Sequence, residues 1–375
     1  MKKILQIVSC LELGGTEAFI MNNYRVLDRS KYQFDFAVFV EKDYPYLDEI
    51  SQLGGNVYFL GTPSLKNAHK FIKRFKEVVD EGGPYVAVHS HVNIDNAIPL
   101  YAAHLCNIPI RVSHSHATSG KDVKLIKQLW VSFKTNLIKK YATAFLGCSK
   151  EAGAYLYGEN FFSEKGIVIP NGIAVKSFFE ERASAVEALK EEFTMNKNCP
   201  LVIGNISRFE KIKNSLFTIN VFSKILDFIP EAVLIMGGPD GGLLEECKNQ
   251  VEKLGIEKSV RFIGKRTDVP ACLKLFDIYL FPSLFEGLGI VLLEAQASGC
   301  FCVASDGVSP EVDRGLNSVH FISLKKNETD WAKEIIESYN DWKEPEQNVI
   351  LKKYIESGFE INEAHKKLMR IYNGK

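Results

Sequence analysis

The run Asp277-Ile-Tyr-Leu-Phe281, continued by Pro282-Ser-Leu-Phe-Glu-Gly-Leu-Gly-Ile-Val-Leu-Leu-Glu-Ala-Gln-Ala-Ser-Gly299, decides how this chain folds. Its opening is an apolar stretch of the kind buried on both faces of a parallel sheet. Gly287 and Gly289 permit a tight turn, and Ile290 to Ala297 reads as a helix lying on that sheet. Strand, glycine turn and helix leave free N–H groups at a helix start, a place suited to a phosphate. Glu286 in the turn and Glu294 in the helix bracket that start. A carboxylate repels phosphate but accepts hydrogen bonds from sugar hydroxyls. Were the segment all helix, the two acids would stand roughly 12 Å apart, on the order of the hexose-to-ribose distance in a nucleotide sugar. The plainer alternative is two solvent-facing acids.

Working outward, 375 residues suit two domains better than one core. A hydrophobic content of 46% with 25% charged residues is that of a soluble globular protein, and a formal net charge of zero gives no reason to expect nucleic acid as a partner. The eight cysteines are scattered without zinc-site spacing, so reduced structural thiols are expected. Met1-Lys-Lys before Ile4 to Val8 is too short for a signal peptide and reads as a first strand; no stretch approaches a membrane span. A cytoplasmic protein is expected, with the inner face of the plasma membrane as a possible station.

Short apolar runs alternate with helix-period segments through both halves, the pattern of doubly wound α/β domains. The strand candidates are Ile4–Ser9, Phe34–Phe39, Val57–Leu60, Tyr85–His89, Ile110–Ser113, Ala144–Gly147 and Ile167–Ile169. After the break at Pro170-Asn171-Gly172 come Leu201–Ile206, Ala232–Met236, Val260–Ile263, Asp277–Phe281, Phe301–Ala304 and Val319–Ile322. The break sets domains at 1–170 and 171–357, with a cleft expected between them.

Several segments carry chemistry. Leu13-Gly14-Gly15-Thr16-Glu17 joins the first strand to a helix; the glycines allow a ligand close, and Glu17 is a candidate cap. It is not the dinucleotide fingerprint, so a nicotinamide enzyme is poorly supported. Gly204-Asn-Ile-Ser-Arg208-Phe-Glu-Lys-Ile-Lys213 places an Arg fork after a strand and a Lys at the next helix, a pairing able to hold a diphosphate. Lys211 competes for the cation's place. Ser113-His114-Ser115-His116 follows another strand, and His89-Ser90-His91 repeats it one strand earlier, where a polar strand end is expected. His-x-His suits a metal, but no third ligand is evident nearby. On a helix, Lys121 to Tyr141 carries Lys121, Lys124, Lys127, Lys134, Lys139 and Lys140 against Asp122, with Leu125, Ile126, Leu129, Trp130, Phe133 and Leu137 as an apolar stripe. It suits an anionic membrane or an ordinary packed helix equally.

Taken together, Glu286-x7-Glu294 within Phe-Glu-Gly-Leu-Gly…Leu-Leu-Glu-Ala, the Arg208…Lys213 segment and the order of the other motifs resemble the retaining GT-B glycosyltransferases of glycosyltransferase family 4, above all the bacterial capsule and exopolysaccharide members. The resemblance implies a GT-B fold, two Rossmann-like domains facing a cleft: an acceptor domain at 1–170, onto which a last helix at 358–375 crosses back, and a nucleotide-sugar donor domain at 171–357. It implies a UDP-linked hexose donor and a glycan or polyprenyl-diphosphate-linked acceptor. Arg208 and Lys213 would stabilise the leaving diphosphate, Glu286 orient the hexose and Glu294 hold the ribose. His116 or His114 would touch the transferred sugar, with the following Ala117-Thr118 favouring His116. Gly14 and Gly15 would face the donor phosphate, Gly287, Leu288 and Gly289 would line the donor site, and the loop of Arg266 would face the nucleobase. No cofactor and no metal are expected, since the chain has no Asp-x-Asp motif. Two departures stand out: Ser207 where the family has Gly before the Arg, and Ala174 where it often has Asp. A nucleotide-sugar epimerase of the same fold and a silent nucleotide-sugar-binding subunit are the alternatives.

Overall fold

In a computed structural model of the protein, residues 1–374 are described except 13, 117–124, 181–182, 194–198 and 287; the side chains of 65 and 125–129 are also outside the description. Contacts divide the chain into two compact units, Met1–Gly172 with Ile361–Lys375, and Ile173–Glu360.

The first unit holds seven parallel strands: β1 (Lys2–Val8), β2 (Tyr32–Val38), β3 (Val57–Phe59), β4 (Tyr85–Ser90), β5 (Ile110–Ser115), β6 (Ala144–Gly147) and β7 (Gly166–Val168). Their order is β3-β2-β1-β4-β5-β6-β7, so the winding reverses between β1 and β4. Successive side chains of β1 alternate between two cores. Ile4 and Val8 join Phe34, Phe36 and the last helix on one face. Leu5 and Ile7 join Phe71, Phe75 and Val88 on the other. That last helix, Ile361–Tyr372, buries Ala364, Leu368, Ile371 and Tyr372 at helical spacing against the first unit.

The second unit repeats the scheme with β8 (Val202–Ile206), β9 (Val233–Gly237), β10 (Val260–Gly264), β11 (Ile278–Phe281), β12 (Phe301–Ser305) and β13 (Val319–Ile322). The order β10-β9-β8-β11-β12-β13 reverses between β8 and β11. Ile278 and Leu280 of β11 enter one core while Tyr279 and Phe281 enter the other, as expected of a strand covered on both faces.

Every strand expected from the sequence is present, with ends shifted by two residues at most. One shift matters: β5 runs through Ser115, so His114 lies within the strand and not after it. All eight cysteines are free thiols. No helix among the described residues is long and apolar enough to cross a membrane.

Candidate functional site

Ligands of open α/β sheets bind at the carboxyl ends of the strands where the winding reverses. In the second unit that point lies between β8 and β11, and the loops leaving these strands carry Arg208, Lys213 and Glu286. Two bonds tie the loops together: Leu284 N–H donates to the Ile212 carbonyl at 2.8 Å, and the Asn214 amide to the Pro282 carbonyl at 3.1 Å. Asn214 takes a left-handed conformation, φ 57°, before the helix Ser215–Ile225. Lys213 therefore sits in a short 3-10 turn, Lys211–Lys213, rather than in the helix expected from the sequence. Its ammonium lies 5.3 Å from the Phe281 ring centre and is ion-paired with the Glu286 carboxylate. The sequence reading gave these two residues separate tasks; here they hold each other.

Arg208 is exposed, and its guanidinium makes no hydrogen bond or ion pair to any described residue. Its backbone, in contrast, is tightly placed. Ser207 N–H donates to the Gly237 carbonyl at 2.8 Å and Phe209 N–H to the Pro239 carbonyl at 3.0 Å. Gly238, at φ +134°, comes so near that a Cβ there would lie 2.0 Å from the Ser207 carbonyl oxygen. The Ser207 hydroxyl donates to Asn205 Oδ1 at 2.9 Å, so the departure from the family's Gly costs no bond.

Glu286 is further held by its backbone, whose N–H donates to the Gly307 carbonyl at 3.0 Å. Gly289, at φ +60°, precedes the helix Ile290–Ala297. Only the part from Ile290 onward is helical, so an all-helix span between the two glutamates does not apply. Glu294 is half-buried in the second turn of this helix. Burial above all, then Cys302 and in smaller part both glutamates, pushes up the pKa of the buried Tyr279 hydroxyl, which donates to the Ile206 carbonyl at 2.9 Å at the end of β8. Leu288 is partly buried against the core, and Gly287 lies outside the described residues. Arg266 is not free for a ligand: its guanidinium pairs with Asp268 at 2.6 Å and Glu192 at 2.5 Å and stacks on Phe193. Asp306 accepts from Leu324 N–H at 3.0 Å and from the Ser323 hydroxyl, a structural clasp that lowers its pKa.

In the first unit, the reversal between β1 and β4 opens a pocket of about 370 Å³ lined by Ser9, Thr16, Glu17, His91, Asn93 and Asp95, among others. Gly14 starts the helix Gly15–Arg25, and a Cβ at Gly14 would lie 2.5 Å from the end of the flexible Glu17 side chain, which would have to shift. Leu13 is outside the described residues, as are Ala117 to Lys124.

His116 and His114 do not stand alone. His89 and His91, at the polar end of β4 that the sequence leads one to expect, are buried beside His114 and meet the half-buried His116. His91 Nδ1 meets His116 Nε2 at 2.9 Å, and His89 Nε2 meets His114 Nδ1 at 3.1 Å. Burial holds all four well below the usual imidazole pKa, His116 at about 3, so the rings are neutral. The third ring that sequence spacing could not supply is present: one nitrogen each from His89, His91 and His114 lie within 4.8 Å of one another, a set able to hold a metal. Gln6 and Tyr372, which anchor this cluster, went unnoticed in the sequence. The only signal was a glutamine inside an otherwise apolar first strand.

The fold is GT-B, that of glycosyltransferases. A model of the family described as glycosyl transferases group 1 matches residues 187–355. EpsF of Bacillus subtilis (strain 168), described as a glycosyltransferase, is 31% identical over 374 residues, covering 99% of this chain and 96% of that protein. The chain belongs to the group 1 glycosyltransferase family. The UDP-Gal:alpha-D-GlcNAc-diphosphoundecaprenol alpha-1,3-galactosyltransferase of Escherichia coli is 27% identical, with 78% of this chain and 76% of that protein covered. Among solved structures, Anabaena HepE in complex with UDP-glucose superposes with a TM-score of 0.79 over the whole of both chains at 18% identity.

Proposed function

We propose that the protein transfers a hexose from a UDP-sugar, with retention of configuration, to a glycan carried on a polyprenyl diphosphate during assembly of a cell-surface polysaccharide. The observation that carries this is the convergence of Arg208, Lys213 and Glu286 on the loops at the β8/β11 reversal, with Glu294 on the helix that follows. The relatives' nucleotide and lipid-linked acceptor support the substrate classes.

In this reading the diphosphate lies against Arg208 and Lys213, which stabilise the charge developing on the leaving oxygen. Lys213 exchanges Glu286 for phosphate, and the released Glu286 accepts from hydroxyls of the hexose. Glu294 accepts from the ribose diol. The base lies against the backbone near Gly264, because the side chain of Arg266 is already committed. No described side chain is placed as a nucleophile, which suits attack on the face the leaving phosphate vacates. The transfer proceeds without a metal, since a cationic pair does the work of an Asp-x-Asp-bound ion.

A lipid-linked acceptor also gives the helix Leu125–Tyr141 a task. Trp130, Val131 and Phe133 are 46%, 41% and 48% exposed, an apolar outer face suited to a membrane interface. Proton NMR of the product made from an α-linked UDP-hexose tests the central step. An α-linked product is expected; a β-linked product sinks retention.

A further inference from the structure

The histidine cluster of the first unit goes unused by the transfer. Its geometry is that of a ligand set with its supporting shell. His91 Nε2 lies 2.9 Å from Gln6 Oε1, which can only accept, so this nitrogen carries the proton and Nδ1 turns its lone pair inward. His89 Nδ1 lies 2.6 Å from the Tyr372 hydroxyl, which the Gln6 amide also reaches at 3.1 Å. Metal-bound imidazoles are held in this way, one nitrogen on an oxygen partner and the other on the ion. At the opposite edge, His114 Nε2 and His116 Nδ1 are buried without any partner.

We propose that His89, His91 and His114, with His116 as fourth donor, bind one divalent transition-metal ion of the zinc class. Nitrogens about 2.0–2.1 Å from a tetrahedral ion stand roughly 3.3–3.4 Å apart. The facing pairs, at 3.1 and 2.9 Å, need to open by a few tenths of an ångström, while the wider spacings, within 4.8 Å among His89, His91 and His114, close around the ion as His116 swings in to complete it. Protons balance without loss. The proton on the inner nitrogen of His116 moves to the bare Nδ1 of the same ring. The one shared by His89 and His114 moves to an outer nitrogen, where Tyr372 or the unpartnered edge receives it. An all-imidazole set without carboxylates favours zinc, cobalt, nickel or copper over magnesium, calcium or manganese. Phe19 covers the four rings, with centroids 4.9 to 6.5 Å away, and the pocket that reaches His91 gives a way in. The ion would clasp β1, β4, β5 and the last helix, a structural task separate from sugar transfer.

The test uses the tag-free full chain, loaded with Zn²⁺ or Co²⁺ and dialysed against metal-free buffer, so that no activity is read. Elemental analysis is expected to find about one ion per chain. Bound Co²⁺ is expected to show the intense visible bands of a tetrahedral site, and Zn²⁺ to raise the melting midpoint. Tyr372→Phe, which keeps all four rings, should weaken Zn²⁺ binding about 10-fold or more. His91→Asn with His114→Asn should abolish it, and if that variant fails to fold, the wild-type cobalt spectrum and Tyr372→Phe decide. A wild-type chain that retains neither ion overturns the proposal, leaving a purely hydrogen-bonded cluster. So does tight binding that persists in folded His91→Asn.

Discussion

Lys213 and Glu286 satisfy each other in the structure, and that pairing shapes what each substitution should do. Arg208 is held in place only by its backbone and is otherwise unengaged, so Arg208→Ala should remove a charge stabiliser without disturbing the fold. Turnover is expected to fall roughly 10²-fold or more. Lys213→Ala removes the same kind of stabiliser and strands Glu286, so it should lower turnover at least as far. Steady-state kinetics on both variants checks this, and unchanged turnover in either removes that residue from the diphosphate site. The two glutamates should separate by binding and chemistry. A ribose contact is made equally in ground and transition states, so Glu294→Gln should weaken free UDP by about 1–3 kcal/mol. Glu286→Gln should leave UDP affinity undiminished, because it frees Lys213 for phosphate, while slowing transfer strongly. Calorimetry with UDP beside turnover decides; loss of UDP binding in Glu286→Gln alone reverses the assignment.

At the scale of elements, the loops after β8, β9 and β10 form one stitched layer, with Gly238 N–H donating to the Gly264 carbonyl at 2.8 Å beneath the Arg208 loop. Gly238→Ala would drive a Cβ into the Ser207 carbonyl from a conformation that L-residues rarely adopt. Destabilisation of at least about 2 kcal/mol is expected, together with weaker UDP binding, measured by denaturant melts and calorimetry. Native stability would show that the layer is soft. For the helix Leu125–Tyr141, the lysines described are partly engaged: Lys134 pairs with Asp95 at 2.6 Å and Lys139 lies 4.5 Å from the Phe161 ring centre. The exposed Trp130 and Phe133, rather than charge alone, should therefore set membrane affinity. Anionic vesicles should recruit the protein in a salt-sensitive way, each free Lys adding about 1 kcal/mol, and Trp130→Ala with Phe133→Ala should release it. Equal, weak recruitment by neutral and anionic vesicles returns this helix to an ordinary packed role. The strands were legible because each is a short apolar run bounded by turn residues. The Lys211–Lys213 turn was not, because the left-handed Asn214 that ends it follows from a long-range bond to Pro282.

For the molecule as a whole, periodicity was enough to read two doubly wound halves, and motif spacing was enough to name Arg208, Lys213, Glu286 and Glu294. Partnerships between distant positions were beyond such a reading. Lys213 with Glu286, Arg266 with Glu192, and the histidines with Gln6 and Tyr372 arise only when strands far apart in the chain become neighbours. Transfer itself should continue in a strong chelator and gain nothing from added Mg²⁺ or Mn²⁺; activity that Mg²⁺ alone restores after chelation contradicts a cation-pair mechanism. The most direct test of a UDP-sugar transferase is nucleotide release from a panel of UDP-hexoses, with and without a polyprenyl-diphosphate-linked saccharide. One donor should release UDP in step with sugar transferred, only when the acceptor is present, and Arg208→Ala should suppress that release. Conversion of a UDP-sugar to its epimer with no UDP released, or no release from any donor by folded protein, would contradict it.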